Sequence, residues 1–192
     1  MTATTTPADG PGRTVSGRAW VAVSLAVFTA AWGGNEFTPL LVMYRQQGHV
    51  AGVLVDALLF AYVLGIVPAL LIGGPLSDRF GRRPLMLPAP VFAALGSVLL
   101  AAGAHSVALL TVGRVLSGIA IGLAMAVGGS WIKELSDRAG APVTAGARRA
   151  ALSLTAGFGL GAGVAAVLAQ WAPWPSQLAY LINIAMTVVA LI

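Results

Sequence analysis

The chain has no cysteine, which excludes a disulfide framework, a thiolate metal site and a cysteine nucleophile at once. Histidine is almost as scarce, with only His49 and His105, so a zinc site would need unusual ligands. Charge is the third shortage. Asp, Glu, Lys and Arg make up 9% of the 192 residues, against about 25% in soluble domains. A soluble domain of this size has too much surface to cover with so few charges. Disorder fails on the opposite count, because it requires low hydrophobicity and high net charge, whereas 58% of these residues are hydrophobic. The composition is that of an integral membrane protein.

The few charges are spaced to fit a bilayer. None occurs within residues 19–35, 57–77, 84–113, 115–132 or 150–192. A helix crossing a hydrocarbon layer of about 30 Å needs roughly 20 apolar residues, and the last interval has room for two. Trp171-Ala-Pro-Trp-Pro-Ser176 divides it, since proline stops helices and tryptophan favours the lipid–water boundary. The pattern predicts an all-α, polytopic membrane protein with six helices, over about 19–43, 52–75, 84–104, 107–132, 149–170 and 177–192. Gln46-Gln47-Gly48-His49 and Gly103-Ala104-His105-Ser106 read as polar turns.

Residues 1–17, rich in Thr, Gly and Pro, read as a flexible cytoplasmic tail, and 18–192 as one transmembrane half-domain. The tail lacks the short apolar core and small-residue cleavage site of a signal peptide. At 1.5 Å per residue, 177–192 reaches only roughly 24 Å, and no polar anchor follows Ile192. That reads as a longer chain cut within helix six; the competing reading is a half-size protein that assembles with a second half.

Nine of the eleven basic residues share one side of this layout. Arg13 and Arg18 precede helix one, Arg79, Arg82 and Arg83 lie between helices two and three, and Lys133, Arg138, Arg148 and Arg149 between helices four and five. Arg45 alone occupies an opposite turn, and Arg114 falls within helix four. Cytoplasmic loops carry the Lys/Arg excess, so the amino terminus is expected inside, in a cell (plasma or inner) membrane. The same asymmetry accounts for the net charge of +5, and no basic-aromatic patch is left to suggest a nucleic-acid partner.

The most specific motif follows helix two: Gly73-Gly74-Pro75-Leu76-Ser77-Asp78-Arg79-Phe80-Gly81-Arg82-Arg83-Pro84. Gly74 would let a neighbouring helix approach, Asp78 can receive hydrogen bonds or face a helix amino end, and Gly81 permits a tight turn. Gly74-x-Leu76-x-Asp78-Arg79-x-Gly81-Arg82-Arg83 resembles the cytoplasmic loop signature of the major facilitator superfamily of secondary transporters. Arg114-Val-Leu-Ser-Gly118-Ile-Ala-Ile-Gly122 is similar to that family's helix-four pattern. Gly157-Phe-Gly159-Leu-Gly161-Ala162-Gly163 has the glycine richness of its antiporter motif without the Gly-Pro step.

The resemblance implies a fold of two six-helix halves around a central cavity, each half made of two inverted three-helix repeats, working by alternating access. This chain matches the amino-terminal half. In the family, the loop aspartate and its arginine neighbour act across the interface with the second half and stabilise one gating state. Asp78 and Arg79 match those positions, and this half shows no obvious partner for the aspartate.

Ionisable residues inside the membrane cost about 2.5–3.5 kcal/mol each on insertion scales and need a partner or water. Glu36 lies in Trp32-Gly-Gly-Asn35-Glu36-Phe-Thr38-Pro39, about five residues past the centre of helix one. Arg114 lies at a matching depth in helix four. Both helices line the cavity in the family, so the two side chains are expected to meet, either as a proton-coupling pair or as a salt bridge that orders the bundle. Asn35 and Trp32 belong to the same candidate cavity. Asp56 is expected to face interfacial water or pair with Arg45.

Other motifs are set aside. Gly157-x-Gly159-x-x-Ala162 matches a loose dinucleotide fingerprint but follows no strand. Gly118/Gly122, Gly157/Gly161 and Gly159/Gly163 read instead as close-packing helix faces. Ser130 has no histidine on a later helix to serve as its base. No cofactor is implied. The expected function is half of a proton-coupled secondary transporter for a small organic solute, with drug or solute efflux as one form. Its partners would be the solute, protons, the bilayer and a second six-helix half. The alternative is a non-transporting membrane scaffold or assembly half-subunit.

Overall fold

A computed structural model describes residues 18–46, 52–103 and 106–191. The expected tail, His49 and His105 lie outside the described residues. Among those described, every regular element is helical: α1 (Ala19–Asn35), α2 (Phe37–Gln46), α3 (Gly52–Phe80), α4 (Arg82–Met86), α5 (Pro88–Ala102), α6 (Val107–Leu123), α7 (Gly129–Arg138), α8 (Val143–Trp171) and α9 (Pro175–Leu191). A π-helical turn over Ala124–Gly128 joins α6 to α7.

Four helical segments are long and apolar enough to cross a membrane: Gly52–Phe80, Arg82–Ala102, Val107–Arg138 and Val143–Trp171. Pro175–Leu191 is apolar but shorter. The expected first helix is present but broken at Glu36. Pro39 has no N–H to offer the Asn35 carbonyl, so one rung of the helical ladder is lost there. The Glu36 N–H still donates to the Trp32 carbonyl at 3.0 Å, which keeps α1 and α2 on one path.

The motif after helix two is more helical than the expected loop. Helix α3 runs through it to Phe80, α4 restarts at Arg82, and Gly81 alone separates them. Its φ of 92° and ψ of 163° lie in a region essentially reserved for glycine.

Helix α6 sits between α3 and α5, while α1 packs on α8 and α9 packs on α5 and α1. Small residues set these distances. A Cβ on Gly65 would strike the Val115 carbonyl, and one on Gly118 the Tyr62 carbonyl, so α3 and α6 touch backbone to backbone. Gly157 and Gly161 do the same for α8 against Phe28 and Trp32 of α1. Gly159 and Gly163 differ from the expectation: they point away from α1, and nothing described lies within 4 Å of a Cβ at either.

Two apolar clusters form the core. One gathers Phe37, Leu40, Leu58, Leu100, Leu110 and Tyr180; the other gathers Val27, Ala31, Met86, Ile121, Val127 and Ile132. Along α1–α2, α5, α6 and α9, buried polar residues fall between them or at their margin: Glu36, Ser97, Arg114, Ser117 and Asn183. Outward faces remain apolar, as at Phe60, Leu64 and Leu71 on α3 and Leu160 and Val167 on α8. Such faces suit lipid or another layer of helices.

Candidate functional site: a buried polar layer

Glu36 occupies the break between α1 and α2 and is fully buried. Neither of its carboxyl oxygens has a hydrogen-bond partner. The Trp32 and Ser97 side chains face it without closing a bond of good geometry, and Arg114 is within electrostatic reach. The break places this carboxyl between two helix ends, facing Ser97 of α5 and Arg114 of α6.

Arg114 is brought alongside by α6 and is also buried, at 1% exposure. Its guanidinium carbon stands 4.0 Å from the Tyr62 ring centroid and 4.4 Å from that of Phe37. Nε and Nη1 have no hydrogen-bond acceptor. The cation is thus held by aromatic faces rather than by a carboxylate. Glu36 and Arg114 share the layer, but no Arg114 nitrogen lies within 4.0 Å of a Glu36 oxygen. The contact expected from their depths is not formed in this conformation.

Of the remaining candidates, Trp32 stays beside Glu36, and Asn35 and Asp56 turn elsewhere. Asn35 is half-buried and donates from Nδ2 to the Phe158 carbonyl at 3.0 Å, which ties the helix break to α8. Trp32 is buried against α8 and packs beside Phe28, with ring centroids 5.8 Å apart. Asp56 is exposed and makes no ion pair with Arg45.

Two residues of the layer escaped the sequence reading. Ser97 of α5 donates to Asn183 Oδ1 of α9 at 2.9 Å, and Asn183 Nδ2 donates to the Thr29 carbonyl of α1 at 2.9 Å. Gly33 makes room for this, since a Cβ there would stand 3.1 Å from the Asn183 amide nitrogen. The available signal was a lone Asn inside the apolar run of residues 177–192.

At the other end of the bundle, the motif residues surround a cavity of about 470 Å³ with Trp131 and Glu134. Asp78 has a partner in this half, contrary to the sequence reading: its Oδ1 lies 2.7 Å from Arg82 Nη1. Arg82 also reaches Glu134 Oε1 of α7 at 3.1 Å and donates to the Ser77 hydroxyl. The chain reversal at Gly81 brings Arg82, at the start of α4, back alongside Asp78 near the end of α3, and Glu134 was not anticipated. Arg79 and Arg83 are exposed, Arg79 against the adjacent Phe80 ring. Gly74 meets nothing within 4 Å, so the helix expected to approach it is not among the described residues.

Comparison with known proteins gives this geometry a context. The bacillibactin exporter of Bacillus subtilis (strain 168) is 28% identical over 155 residues, which are 79% of this chain and 39% of that protein. The arabinose-proton symporter of the same organism is 28% identical over 97 residues, 50% of this chain and 20% of that protein. The glucose transporter GlcP of Staphylococcus epidermidis (strain ATCC 12228 / FDA PCI 1200) is 31% identical over 85 residues, 44% of this chain and 18% of that protein. The chain therefore spans about two-fifths of the length of the exporter it matches. The family model of the Major Facilitator Superfamily matches residues 23–192, nearly the whole helical bundle, and the chain belongs to that family.

Proposed function

We propose that the chain is the amino-terminal half of a proton-coupled secondary transporter for a small organic solute, exporting it by alternating access. The broken Ala19–Gln46 and the shorter Pro175–Leu191 join the four longer spans as six crossings, arranged as two inverted three-helix repeats. A second six-helix half would cover the apolar faces of α3 and α8 and approach Gly74. The basic inner loops orient the amino terminus toward the cytoplasm of a cell membrane.

One observation carries the coupling assignment: Glu36 is fully buried within this half, and both its oxygens lack a donor. An organic solute in a cavity between two halves could not touch it without opening the bundle, whereas a proton could reach it by water-mediated transfer. A carboxyl in apolar surroundings favours its neutral form and a nearby guanidinium favours the charged one. Arg114, held 4.0 and 4.4 Å above two rings, supplies that opposing influence without neutralising Glu36 outright. Loading and unloading a proton then changes the interaction between α1 and α6, which is the differential energy that two transporter states require. Asp78, Arg79, Gly81, Arg82 and Arg83 form the inner gate, where Arg82 exchanges partners as the second half docks and leaves. Export is favoured over uptake by the longest of the three matches, to an exporter.

The test uses inverted vesicles from cells expressing the complete protein that carries this chain, with an imposed pH gradient followed by an acridine dye. Bacillibactin and arabinose are the first solutes to add. A solute-dependent proton movement is expected from the wild type and not from Glu36→Gln, with the variant present in the membrane at similar abundance. A response of wild-type size in Glu36→Gln would demote Glu36 to a structural role. No proton or solute movement with a wide solute panel would favour the scaffold reading.

A further inference from the structure

Proton coupling at Glu36 does not by itself require the polar chain beside it. Ser97 is 1% exposed and Asn183 is fully buried, in a layer where each polar group has few places to turn. A serine hydroxyl has one proton to donate. In this conformation that proton goes to Asn183 Oδ1 at 2.9 Å, while the Glu36 carboxyl that Ser97 also faces has no donor on either oxygen. Two buried acceptors thus compete for one donor. Asn183 is in turn fastened to the α1 backbone through the Thr29 carbonyl, about two turns before Glu36, in room that the missing side chain of Gly33 provides.

We infer that Ser97 is a positioning residue for Glu36, whose hydroxyl passes from Asn183 Oδ1 to the carboxylate when Glu36 loses its proton, so that α9 senses the charge state of α1. The inference rests on Glu36 being the coupling carboxyl. With Glu36 neutral, Ser97 satisfies Asn183 and α9 is locked to α5 and α1. With Glu36 charged, a hydrogen bond to the charged group is the stronger of the two choices, and Asn183 Oδ1 gives up its donor. The lock between α5 and α9 then opens while Asn183 Nδ2 still holds α1. Of the groups that face this site, Arg114 from α6 is the charged one, and the phenols of Tyr62 from α3 and Tyr180 from α9 stand beside Arg114. None of these three donates to the Glu36 oxygens.

Polar residues between membrane helices also act as plain glue, so the test must move something that glue does not. Infrared difference spectra of the complete protein in liposomes, collected across pH, read the carbonyl stretch of a protonated carboxyl; the band missing from Glu36→Gln belongs to Glu36. Ser97→Ala removes a donor to the charged form, so the Glu36 band should persist to a pH about one unit higher. Asn183→Leu removes the competing acceptor and leaves the hydroxyl to Glu36 alone, so the band should vanish at a lower pH than in the wild type. Ser97→Thr, which keeps the hydroxyl, should titrate like the wild type. Opposite shifts are the signature, because mere loosening of the bundle would move both variants in one direction. Same-sign shifts, or no shift in either, overturn the inference while leaving Glu36 as the coupling group. A Glu36 band that never titrates overturns both. Should Ser97→Ala fail to insert, Asn183→Leu decides alone: a lower midpoint supports the exchange, and an unchanged or higher one refutes it.

Discussion

At the residue scale, the two charges inside the bundle behave differently from a salt bridge, and the difference is measurable. Arg114 is stabilised by the Tyr62 and Phe37 faces, which suit a flat guanidinium better than a compact ammonium. Arg114→Lys keeps the charge but loses that stacking. It should reduce solute-driven proton movement several-fold and lower stability by about 0.5–2 kcal/mol, read as an earlier thermal transition in detergent. Full activity in Arg114→Lys would mean that charge alone matters. Glu36 and Arg114 were legible in the sequence because a charge stands out in an apolar run. Ser97 and Asn183 were not, since a lone Ser or Asn in a membrane helix has no fixed meaning until its neighbours are known. Their partner is backbone or amide, and only the packing of α1, α5 and α9 brings these together.

At the scale of elements, charge spacing located the four long apolar helices, but not their ends. Helix α3 extends to Phe80 and α7 to Arg138, beyond the residues that bilayer thickness alone would enclose. A charged residue marks the edge of the hydrocarbon and not the edge of the helix, because helical bonding continues undisturbed into water. The glycines sort by what they face. Gly65→Ala puts a methyl against the Val115 carbonyl and should destabilise the protein by about 1–3 kcal/mol, seen as reduced abundance and a lower transition temperature. Gly163→Ala meets open space on this half, so its effect should be confined to the complete protein, as altered transport at near-normal abundance. Equal loss of abundance in both would refute this division between faces turned to the inside and faces awaiting another layer. The break at Glu36 is a further case: Pro39 was visible in the sequence, but the helix on either side of it reads as one apolar stretch.

At the scale of the molecule, the orientation is open to a clean test because the chain has no cysteine of its own. Ser77 is a poor reporter, being 1% exposed, whereas Ala139 and Trp174 are exposed at opposite ends of the bundle. An impermeant thiol reagent added to intact cells should label Trp174→Cys and spare Ala139→Cys until the cells are opened. The reverse pattern would invert the proposed topology. At the motif end, Asp78→Asn should slow transport without loss of protein, since Arg82 keeps Glu134 as its anchor and the Asp78 contact is largely solvated. Unchanged kinetics would leave Asp78 with a folding role. The single residue between α3 and α4 has a mechanical corollary. Two rods joined by one locked joint at Gly81, and cross-tied through Arg82 to a third at Glu134, cannot swing independently. The motif ends of α3, α4 and α7 form a linked tripod, so a push delivered at one leg is passed to the other two.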